Sequence, residues 1–123
     1  METPALEGIQ RLTGGEGGEN EKLIFGVLRR GLPAQLEAGT ETRSLTDLGL
    51  RFDLTVPLTR FYANNAAALP NPFRSFQLGP VWRAERPQRG RFRQFNQCDI
   101  DIIGEASMLA EIELIEATTQ ALT

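Results

Sequence analysis

Residues 76–103, FQLGPVWRAERPQRGRFRQFNQCDIDII, show the strongest structural signal in the chain, because two alternating segments flank a short polar connection. Apolar and polar residues alternate with period two in both segments, which is typical of strands with one buried face. The apolar residues that share a predicted core face are Phe76, Leu78 and Trp82 in the first segment and Cys98, Ile100 and Ile102 in the second. The stretch is therefore predicted to form a long antiparallel hairpin.

Two segments upstream of this hairpin are also predicted as strands. KLIFGVL, residues 22–28, is a short apolar run, and LRFDLTV, residues 50–56, again alternates with period two. The apolar face of the second segment would consist of Leu50, Phe52, Leu54 and Val56. Arg51, Asp53 and Thr55 would then share its polar face.

The segments between these strands are predicted as loops. TGGEGGENE, from Thr13 to Glu21, is rich in glycine and glutamate and matches no phosphate-binding glycine motif, so we expect a surface loop. The connection from Arg30 to Asp47 contains glycine and proline, and a short helical turn is expected in it around Ala34 to Ala38.

Two helices complete the predicted elements. Pro57 suits the first turn of a helix that continues to Leu69, where Pro70 follows. A second helix is predicted from Ser107 to Leu122, with Ser107 as its N-cap. Its apolar stripe consists of Leu109, Ile112, Ile115 and Leu122. This order of elements predicts an α+β domain with a mainly antiparallel sheet and flanking helices.

The composition is that of an ordinary soluble domain. With 123 residues the chain suits one domain, and its net charge of −3 argues against a free-standing nucleic-acid-binding module. No apolar run approaches the roughly 20 residues of a membrane span, the N-terminus lacks the layout of a signal peptide, and Cys98 has no second cysteine to pair with. We therefore expect a protein of the reducing cytoplasm without membrane contact.

Histidine is absent from the chain, which restricts the chemistry that it can perform. Ser-His and Cys-His nucleophiles, histidine zinc sites and histidine acid–base catalysis are excluded. Any bound metal would use carboxylate ligands, which favours Mg²⁺. The polar faces of the predicted strands combine arginines, short carboxylates, an amide and an aromatic ring, which together could hold a phosphate chain, a planar base and a zwitterion.

Arginines also cluster in the connection between the two hairpin strands. Lys22 is the only lysine among the 13 basic residues. Because arginine is used almost everywhere, residue type does not distinguish ligand-binding arginines, and their position in the chain has to do so. RPQRG, residues 86–90, is too long for a tight hairpin, and its proline and glycine indicate a defined but movable loop. Such a loop could close over an anion through Arg86 and Arg89.

Taken together, these segments resemble the catalytic core of the histidyl-tRNA synthetase family, which belongs to the class II aminoacyl-tRNA synthetases. Motif 2 of that class is an arginine, one residue, a glutamate, a loop, and an arginine followed four residues later by phenylalanine. The matching positions are Arg83, Glu85, Arg91 and Phe95. QCDID, residues 97–101, and RFDLTVP, residues 51–57, point to the histidine enzyme within the class.

The resemblance covers nearly all of residues 1–123, which would form one partial catalytic domain of the class II fold. ETPALE, residues 2–7, resembles only the end of motif 1, and motif 3 and the anticodon-binding domain have no counterpart. The resemblance therefore implies a fragment of a larger enzyme, whose complete form would be a homodimer.

The resemblance also implies a role for each matched residue in binding ATP. Arg83 would hold the α-phosphate and act as the catalytic residue, while Arg91 would reach the γ-phosphate. Glu85 would accept a hydrogen bond from the adenine amino group, and Phe95 would stack on the adenine ring. These four residues form the implied ATP half of the site.

The implied histidine half uses four other residues. Asp53, Thr55 and Gln97 would position the α-amino and carboxylate groups of histidine, and Asp101 would bond its imidazole. Histidine and ATP would react, with Mg²⁺, to histidyl-adenylate and pyrophosphate, and the histidyl group would then pass to the 3′ end of tRNA(His). Loop residues Arg86 and Arg89 are the predicted tRNA contacts.

Two other functions fit parts of the sequence. The regulatory subunit of ATP phosphoribosyltransferase resembles the synthetase but binds histidine as a sensor, and it would bind histidine without forming an adenylate. An RNA-binding fragment that uses the arginine-rich loop is the second alternative, and the acidic balance of the chain counts against it.

Overall fold

The structure is a computed structural model that describes residues 1–14 and 20–123, and it confirms the α+β fold with antiparallel sheets and flanking helices. The strands are β1 (Leu6–Gly8), β2 (Gly26–Leu28), β3 (Thr46–Leu50), β4 (Phe73–Trp82) and β5 (Gln94–Ile103). The α-helices are α1 (Ile9–Thr13), α2 (Thr42–Leu45), α3 (Thr55–Asn65) and α4 (Met108–Leu122), and 3₁₀ turns span Asn20–Leu23 and Ala66–Ala68. The centre of the predicted glycine-rich loop, residues 15–19, lies outside the described residues.

β4 and β5 form the long hairpin that the alternation predicted. Their antiparallel ladder runs from Phe73 opposite Ile103 to Trp82 opposite Gln94. Residues that are opposite each other in such a ladder have their side chains on the same face of the sheet. The register of the hairpin therefore determines which polar residues meet.

The core face of the hairpin is the opposite of the predicted one. Gln77 and Val81 are 1% and 0% exposed, whereas Phe76 and Leu78, the predicted core residues, are 55% and 60% exposed. Cys98 lies opposite Leu78 and is exposed as well. The other predicted core residues, Trp82, Ile100 and Ile102, are only partly buried.

Neighbouring segments explain this inversion. The chain between β3 and α3 crosses the Gln77 side of the hairpin, where Gln77 Nε2 donates to the carbonyl oxygen of Leu54 at 3.0 Å. Leu54 itself is 1% exposed, so the core forms on this side. The other face meets α4 only near one end, where Arg74 pairs with Glu113.

The second sheet has three antiparallel strands in the order β1-β3-β2. β3 ends at Leu50, so the prediction of one strand through residues 50–56 is wrong beyond that point. Phe52 and Leu54 are buried, as their alternation indicated, but they lie on a bend. The physical reason is that Asp53 Oδ1 accepts a hydrogen bond from the backbone N–H two residues later at 3.0 Å, which turns the chain into α3.

Three smaller predictions differ from the structure in their boundaries. Within residues 22–28 only β2 is a strand, because a 3₁₀ turn occupies the beginning of that segment. The helical turn expected around residues 34–38 forms later in the connection, as α2. Helix α3 begins two residues before Pro57, and the 3₁₀ turn that follows it ends just before Leu69.

Helix α4 confirms the predicted helix and its cap, since the backbone N–H of Leu109 donates to Ser107 Oγ at 3.3 Å. Its predicted apolar stripe does not pack inward. The exposed members of that stripe are Leu109, Ile112, Ile115 and Leu122. No helix in the two described ranges is long and apolar enough to span a membrane.

Arg51 joins the two sheets from a buried position. Its Nε donates to the carbonyl of Pro80 at 2.9 Å, and its Nη1 donates to the carbonyl of Thr3 at 2.8 Å. Burial lowers the pKa of the Arg51 guanidinium, and the nearby Glu7 carboxylate acts in the opposite direction. Arg51 therefore connects the N-terminal segment to the hairpin instead of lying on an open polar face.

Candidate functional site

One pocket contains all four residues of the predicted ATP half. It has a volume of about 350 Å³ and lies between the end of β4, the connecting loop and the start of β5. The residues that line it are Arg83, Glu85, Arg86, Gly90, Arg91, Phe92 and Phe95. The hairpin register brings the two ends of motif 2 together, since the backbone N–H of Arg83 bonds to the carbonyl of Arg93 at 2.8 Å.

Arg83 has two contacts that hold its side chain in this pocket. Its Nε donates to the carbonyl oxygen of Phe52 at 3.0 Å, and its guanidinium carbon lies 5.0 Å from the ring centroid of Phe95. The first contact anchors the guanidinium beside the bend before α3. The second is a cation–π interaction that occupies one face of the Phe95 ring.

The charged pair at the mouth of the pocket is weak. Arg91 Nη1 and Glu85 Oε2 are 3.9 Å apart, and both side chains are largely exposed. Solvent-exposed pairs of this kind contribute about 0–1 kcal/mol. Both groups can therefore exchange this contact for a ligand at little cost.

The connecting loop is more closed than the sequence indicated. Gln88 and Arg91 exchange two backbone hydrogen bonds, of 3.3 Å and 2.9 Å, around a two-residue turn formed by Arg89 and Gly90. Gly90 has a φ of +80°, which glycine adopts without steric cost. The turn leaves Arg89 exposed at the tip, outside the pocket, while Arg86 lines the pocket.

Residues of the predicted histidine half lie on the inward face of the hairpin and on the bend before α3. Asp101 and Gln97 share this face with Phe95, because they alternate along β5. Gln97 Nε2 donates to Asp99 Oδ1 at 2.8 Å. Asp53 lies on the bend, and Thr55 is exposed at the first residue of α3, with its backbone N–H bonded to Asp53.

Carboxylates dominate the charge of this half. Burial raises the pKa of Asp101, and the nearby carboxylates of Asp99 and Asp53 raise it further. Asp99 and Asp53 therefore both lie near enough to Asp101 to act on its charge. A positively charged group would be favoured beside these carboxylates. The described residues contain no group of three or more His, Cys, Asp or Glu side chains arranged to hold a metal ion.

The two halves meet at Arg83. Its side chain bonds to the backbone carbonyl of Phe52, the residue before Asp53, and Arg83 also lines the pocket at the end of β4. A ligand in the acidic half and a polyanion in the pocket would therefore approach each other at this guanidinium. The arrangement suits a zwitterion whose ammonium faces the carboxylates and whose carboxylate faces Arg83.

Sequence reasoning missed three residues around the site. Phe92 lines the pocket, and Gln77 and Ser75 are buried on the inward face of β4. By alternation, Phe92 belongs to the other face of the predicted strand from Phe95, and for this reason the sequence did not indicate it as a site residue. Ser75 lies opposite Asp101 in the ladder, and Gln77 lies opposite Asp99. Both could have been identified once the register of the hairpin was known.

Comparison with known proteins agrees with this geometry. Residues 34–123 match the family model described as histidyl-tRNA synthetase. The chain is 62% identical to histidine–tRNA ligase of Leifsonia xyli subsp. xyli (strain CTCB07) and 58% identical to probable histidine–tRNA ligase of Tropheryma whipplei (strain Twist). Both matches cover 99% of this chain, but only 29% and 28% of the relatives' length.

Solved structures give the same result. The crystal structure of histidyl-tRNA synthetase from Nostoc sp. PCC 7120 has a TM-score of 0.68 and 34% identity, over 97% of this chain and 24% of that one. An ATP phosphoribosyltransferase regulatory subunit/histidyl-tRNA synthetase from Bacillus halodurans C shares the fold, with a TM-score of 0.73 at 24% identity, over 99% of this chain and 28% of that one.

The antiparallel α+β fold is therefore part of the class II aminoacyl-tRNA synthetase catalytic fold. Within that class, the chain belongs to the histidyl-tRNA synthetase family.

Proposed function

We propose that this chain binds ATP and histidine and forms histidyl-adenylate, as the part of a histidine–tRNA ligase that contains motif 2. The observation that supports this most strongly is the single pocket that contains Arg83, Glu85, Arg91 and Phe95. The chain spans less than a third of the length of its curated relatives, so transfer of histidine to tRNA(His) is proposed for the complete protein.

In the ATP half, each side chain offers the contact that its position allows. Adenine stacks on Phe95, and Glu85 accepts from the adenine amino group. Arg91 reaches the γ-phosphate from the exposed side of the pocket, where it now faces Glu85 at 3.9 Å. Arg83 leaves or shares the Phe95 ring and holds the α-phosphate.

In the histidine half, Asp53, Thr55 and Gln97 position the α-amino and carboxylate groups, and Asp101 accepts a hydrogen bond from the imidazole. Burial raises the pKa of Asp101, and repulsion from Asp99 and Asp53 raises it further; an ammonium group among these carboxylates offsets the repulsion. The same charges that disfavour ionisation of Asp101 therefore favour binding of histidine.

The reaction joins the two halves at Arg83. A carboxylate oxygen of histidine bonds to the α-phosphorus as the bond from that phosphorus to the pyrophosphate oxygen breaks, and the electron pair leaves with pyrophosphate. Arg83 stabilises the negative charge of the transition state. Mg²⁺ would enter with ATP as part of the substrate, bound by phosphate oxygens and water.

Calorimetric titration with MgATP and histidine-dependent ATP–pyrophosphate exchange test this proposal. We expect Arg83→Ala to lower exchange by about 100-fold or more, because it removes charge stabilisation in the transition state. Arg30→Ala, an exposed arginine after β2, is the matched control and should exchange like the wild type.

Equal exchange by Arg83→Ala and the wild type would remove Arg83 from catalysis. Histidine binding without any exchange, by the chain and by the complete protein, would instead favour a histidine sensor. Binding of tRNA with no affinity for ATP or histidine would favour an RNA-binding fragment.

The proposed partners of the complete protein are tRNA(His) and a second copy of itself, in the cytoplasm. Arg86 and Arg89 are the proposed tRNA contacts, and Arg89 is the better exposed for this role. We expect Arg89→Ala to reduce the salt dependence of tRNA binding by about one unit in a plot of log affinity against log salt. An unchanged slope would remove Arg89 from the interface.

A further inference from the structure

Arg51 is a buried cation that has no direct part in the proposed reaction. It is 5% exposed, and its Nε donates to the carbonyl of Pro80 at 2.9 Å. Its Nη1 donates to the carbonyl of Thr3 at 2.8 Å and to the hydroxyl of Thr3 at 3.0 Å. These partners are neutral, and a buried charge is costly unless it is paired. The fixed fork of N–H donors explains an arginine at this position, because it holds two segments of the chain at once.

The backbone of Arg51 is held on both sides as well. Its N–H donates to the carbonyl of Ala5 at 3.0 Å, and its carbonyl accepts from the N–H of Trp82 at 3.0 Å. Arg51 therefore contacts the N-terminal segment and the end of β4 through its main chain as well as through its side chain. Phe52 follows directly in the chain, so these contacts fix the position of the Phe52 carbonyl.

The Phe52 carbonyl is the group that orients the side chain of Arg83. Arg83 Nε donates to it at 3.0 Å. Because a guanidinium is planar and rigid, this bond limits the directions in which the two terminal nitrogens of Arg83 can point. Those nitrogens are the donors that remain for a phosphate. Arg51 is not among the residues that line the pocket of Arg83, so it acts on a ligand there only through its neighbours.

Gly79 makes room for the Arg51 guanidinium beside β4. A Cβ at Gly79 would lie 2.8 Å from Arg51 Nη2, which is too close without a shift of that side chain. Glycine at this position therefore lets the guanidinium reach the carbonyl of Pro80, the next residue in β4. A methyl group at Gly79 would displace the guanidinium without removing its charge.

We propose that Arg51 is a positioning residue for adenylate formation: by fixing the Phe52 carbonyl, it holds the guanidinium of Arg83 in the orientation that stabilises the transition state. This inference rests on the proposed function, because it takes Arg83 as the catalytic residue. A small displacement of a group that acts in the transition state lowers kcat and leaves ground-state binding nearly unchanged. The contribution of Arg51 is therefore expected in kcat, and only while the Arg83 side chain is present.

Histidine-dependent ATP–pyrophosphate exchange by Arg51→Lys, with and without Arg83→Ala, tests this role. Lysine keeps the charge but does not reproduce the fork of donors. We expect Arg51→Lys to lower kcat by about 10-fold and to change KM for MgATP by less than about two-fold. In the Arg83→Ala background the same substitution should change kcat by less than about two-fold, because the side chain that Arg51 positions is gone.

Two further variants complete the comparison. Gly79→Ala displaces the Arg51 guanidinium and should lower kcat by about three-fold, again only while the Arg83 side chain is present. Arg60→Lys is the matched control, because Arg60 is partly buried but pairs with Glu7 at 2.8 Å, and its kcat should equal that of the wild type. Calorimetric titration with MgATP gives the fraction of each variant that binds, and each rate is divided by that fraction to remove losses from misfolding.

The possible failures are distinguishable. Exchange by Arg51→Lys at the wild-type rate would overturn the role of Arg51, and so would a raised KM with unchanged kcat. Equal losses with and without the Arg83 side chain would overturn it too, because a purely structural contribution does not depend on that side chain. If Arg51→Lys binds no MgATP, Gly79→Ala decides by the same criteria. Each of these results leaves the proposed function intact, whereas equal exchange by Arg83→Ala and the wild type would overturn the catalytic role of Arg83 and this inference together.

Discussion

The guanidinium of Arg83 lies between the pocket at the end of β4 and the bend that carries Asp53. It is anchored to the carbonyl of Phe52 and lies over the ring of Phe95. Under the proposed function, adenine would compete with Arg83 for one face of the Phe95 ring, or would take the opposite face and leave a stack of three. In both cases ATP binding would change the environment of a residue next to the proposed histidine half, which would couple the two ligands.

Asp101, a proposed binding residue, reduces the stability of the folded chain. Because burial and neighbouring carboxylates raise its pKa in the folded chain, ionisation of Asp101 is less favourable there than in the unfolded chain. Folding is therefore favoured below the ordinary carboxyl pKa of 3.8, and this contribution is lost as pH rises through the raised folded value.

Asp101→Asn should consequently raise the melting temperature at pH 7, and the gain should disappear below about pH 3.8. The gain at pH 7 should be modest, since partial solvation screens the carboxylate. Thermal unfolding followed by circular dichroism across pH measures it. The exposed Asp47→Asn provides the control, and a gain that is the same at pH 3 and pH 7 would contradict the explanation.

At the scale of elements, the β4–β5 hairpin is the frame of the site. Its register places Asp101 opposite Ser75 and Phe95 opposite Val81. Gly104 directly follows the last residue of β5. Gly104 has a φ of +98°, and a Cβ at this position would collide with Oδ1 of Asn71, the residue before Pro72. The positive φ therefore favours glycine at the end of β5, and a Cβ there would also force the Asn71 side chain to move.

Gly104→Ala should lower the free energy of unfolding by about 1–3 kcal/mol, because alanine adds strain at positive φ and a clash. Gly8→Ala is the matched control, since a Cβ at Gly8 meets no atom within 4 Å and its φ is −56°. It should change the free energy of unfolding by less than about 0.5 kcal/mol. Denaturation with urea measures both, and equal losses would show that Gly104 has no special role.

At the scale of the whole molecule, the core of the described residues lies on the side of the hairpin that carries Val81. Its buried apolar side chains come from α1, α3, the bend before α3 and β4, and they include Leu12, Phe52, Leu54, Leu58 and Val81. The other side of the hairpin shows Phe76, Leu78 and Cys98 to solvent. Stability should therefore depend strongly on which face a leucine occupies.

Leu58→Ala and Leu78→Ala test this asymmetry with the same substitution. Leu58 is 2% exposed, so its truncation should cost about 2–5 kcal/mol of unfolding free energy. Leu78 is 60% exposed and should cost less than about 1 kcal/mol. Urea denaturation of both variants measures the difference. Similar losses would mean that the exposed face is covered in solution.

Local patterns in the chain were sufficient to predict the hairpin and helix α4 with its Ser107 cap, and the family resemblance singled out Arg83, Glu85, Arg91 and Phe95, which line one pocket. The reason is that alternation, capping and motif spacing act over a few residues, and a two-stranded ladder then brings Arg83 and Phe95 together. Phe52 and Leu54 were also correctly predicted as buried, although the strand that contained them was not.

Local patterns could not predict which face of the hairpin is buried. Alternation assigns residues to two faces without indicating which face the rest of the chain covers. That choice depends on the bend at Asp53, which carries Leu54 across β4, and on Arg51, which ties the N-terminal segment to the hairpin. The contacts of Leu54 with Gln77 and of Arg51 with Pro80 and Thr3 join residues far apart in the chain. They also bury Ser75 beside Asp101, a neighbour relation that exists only once the strands are in register.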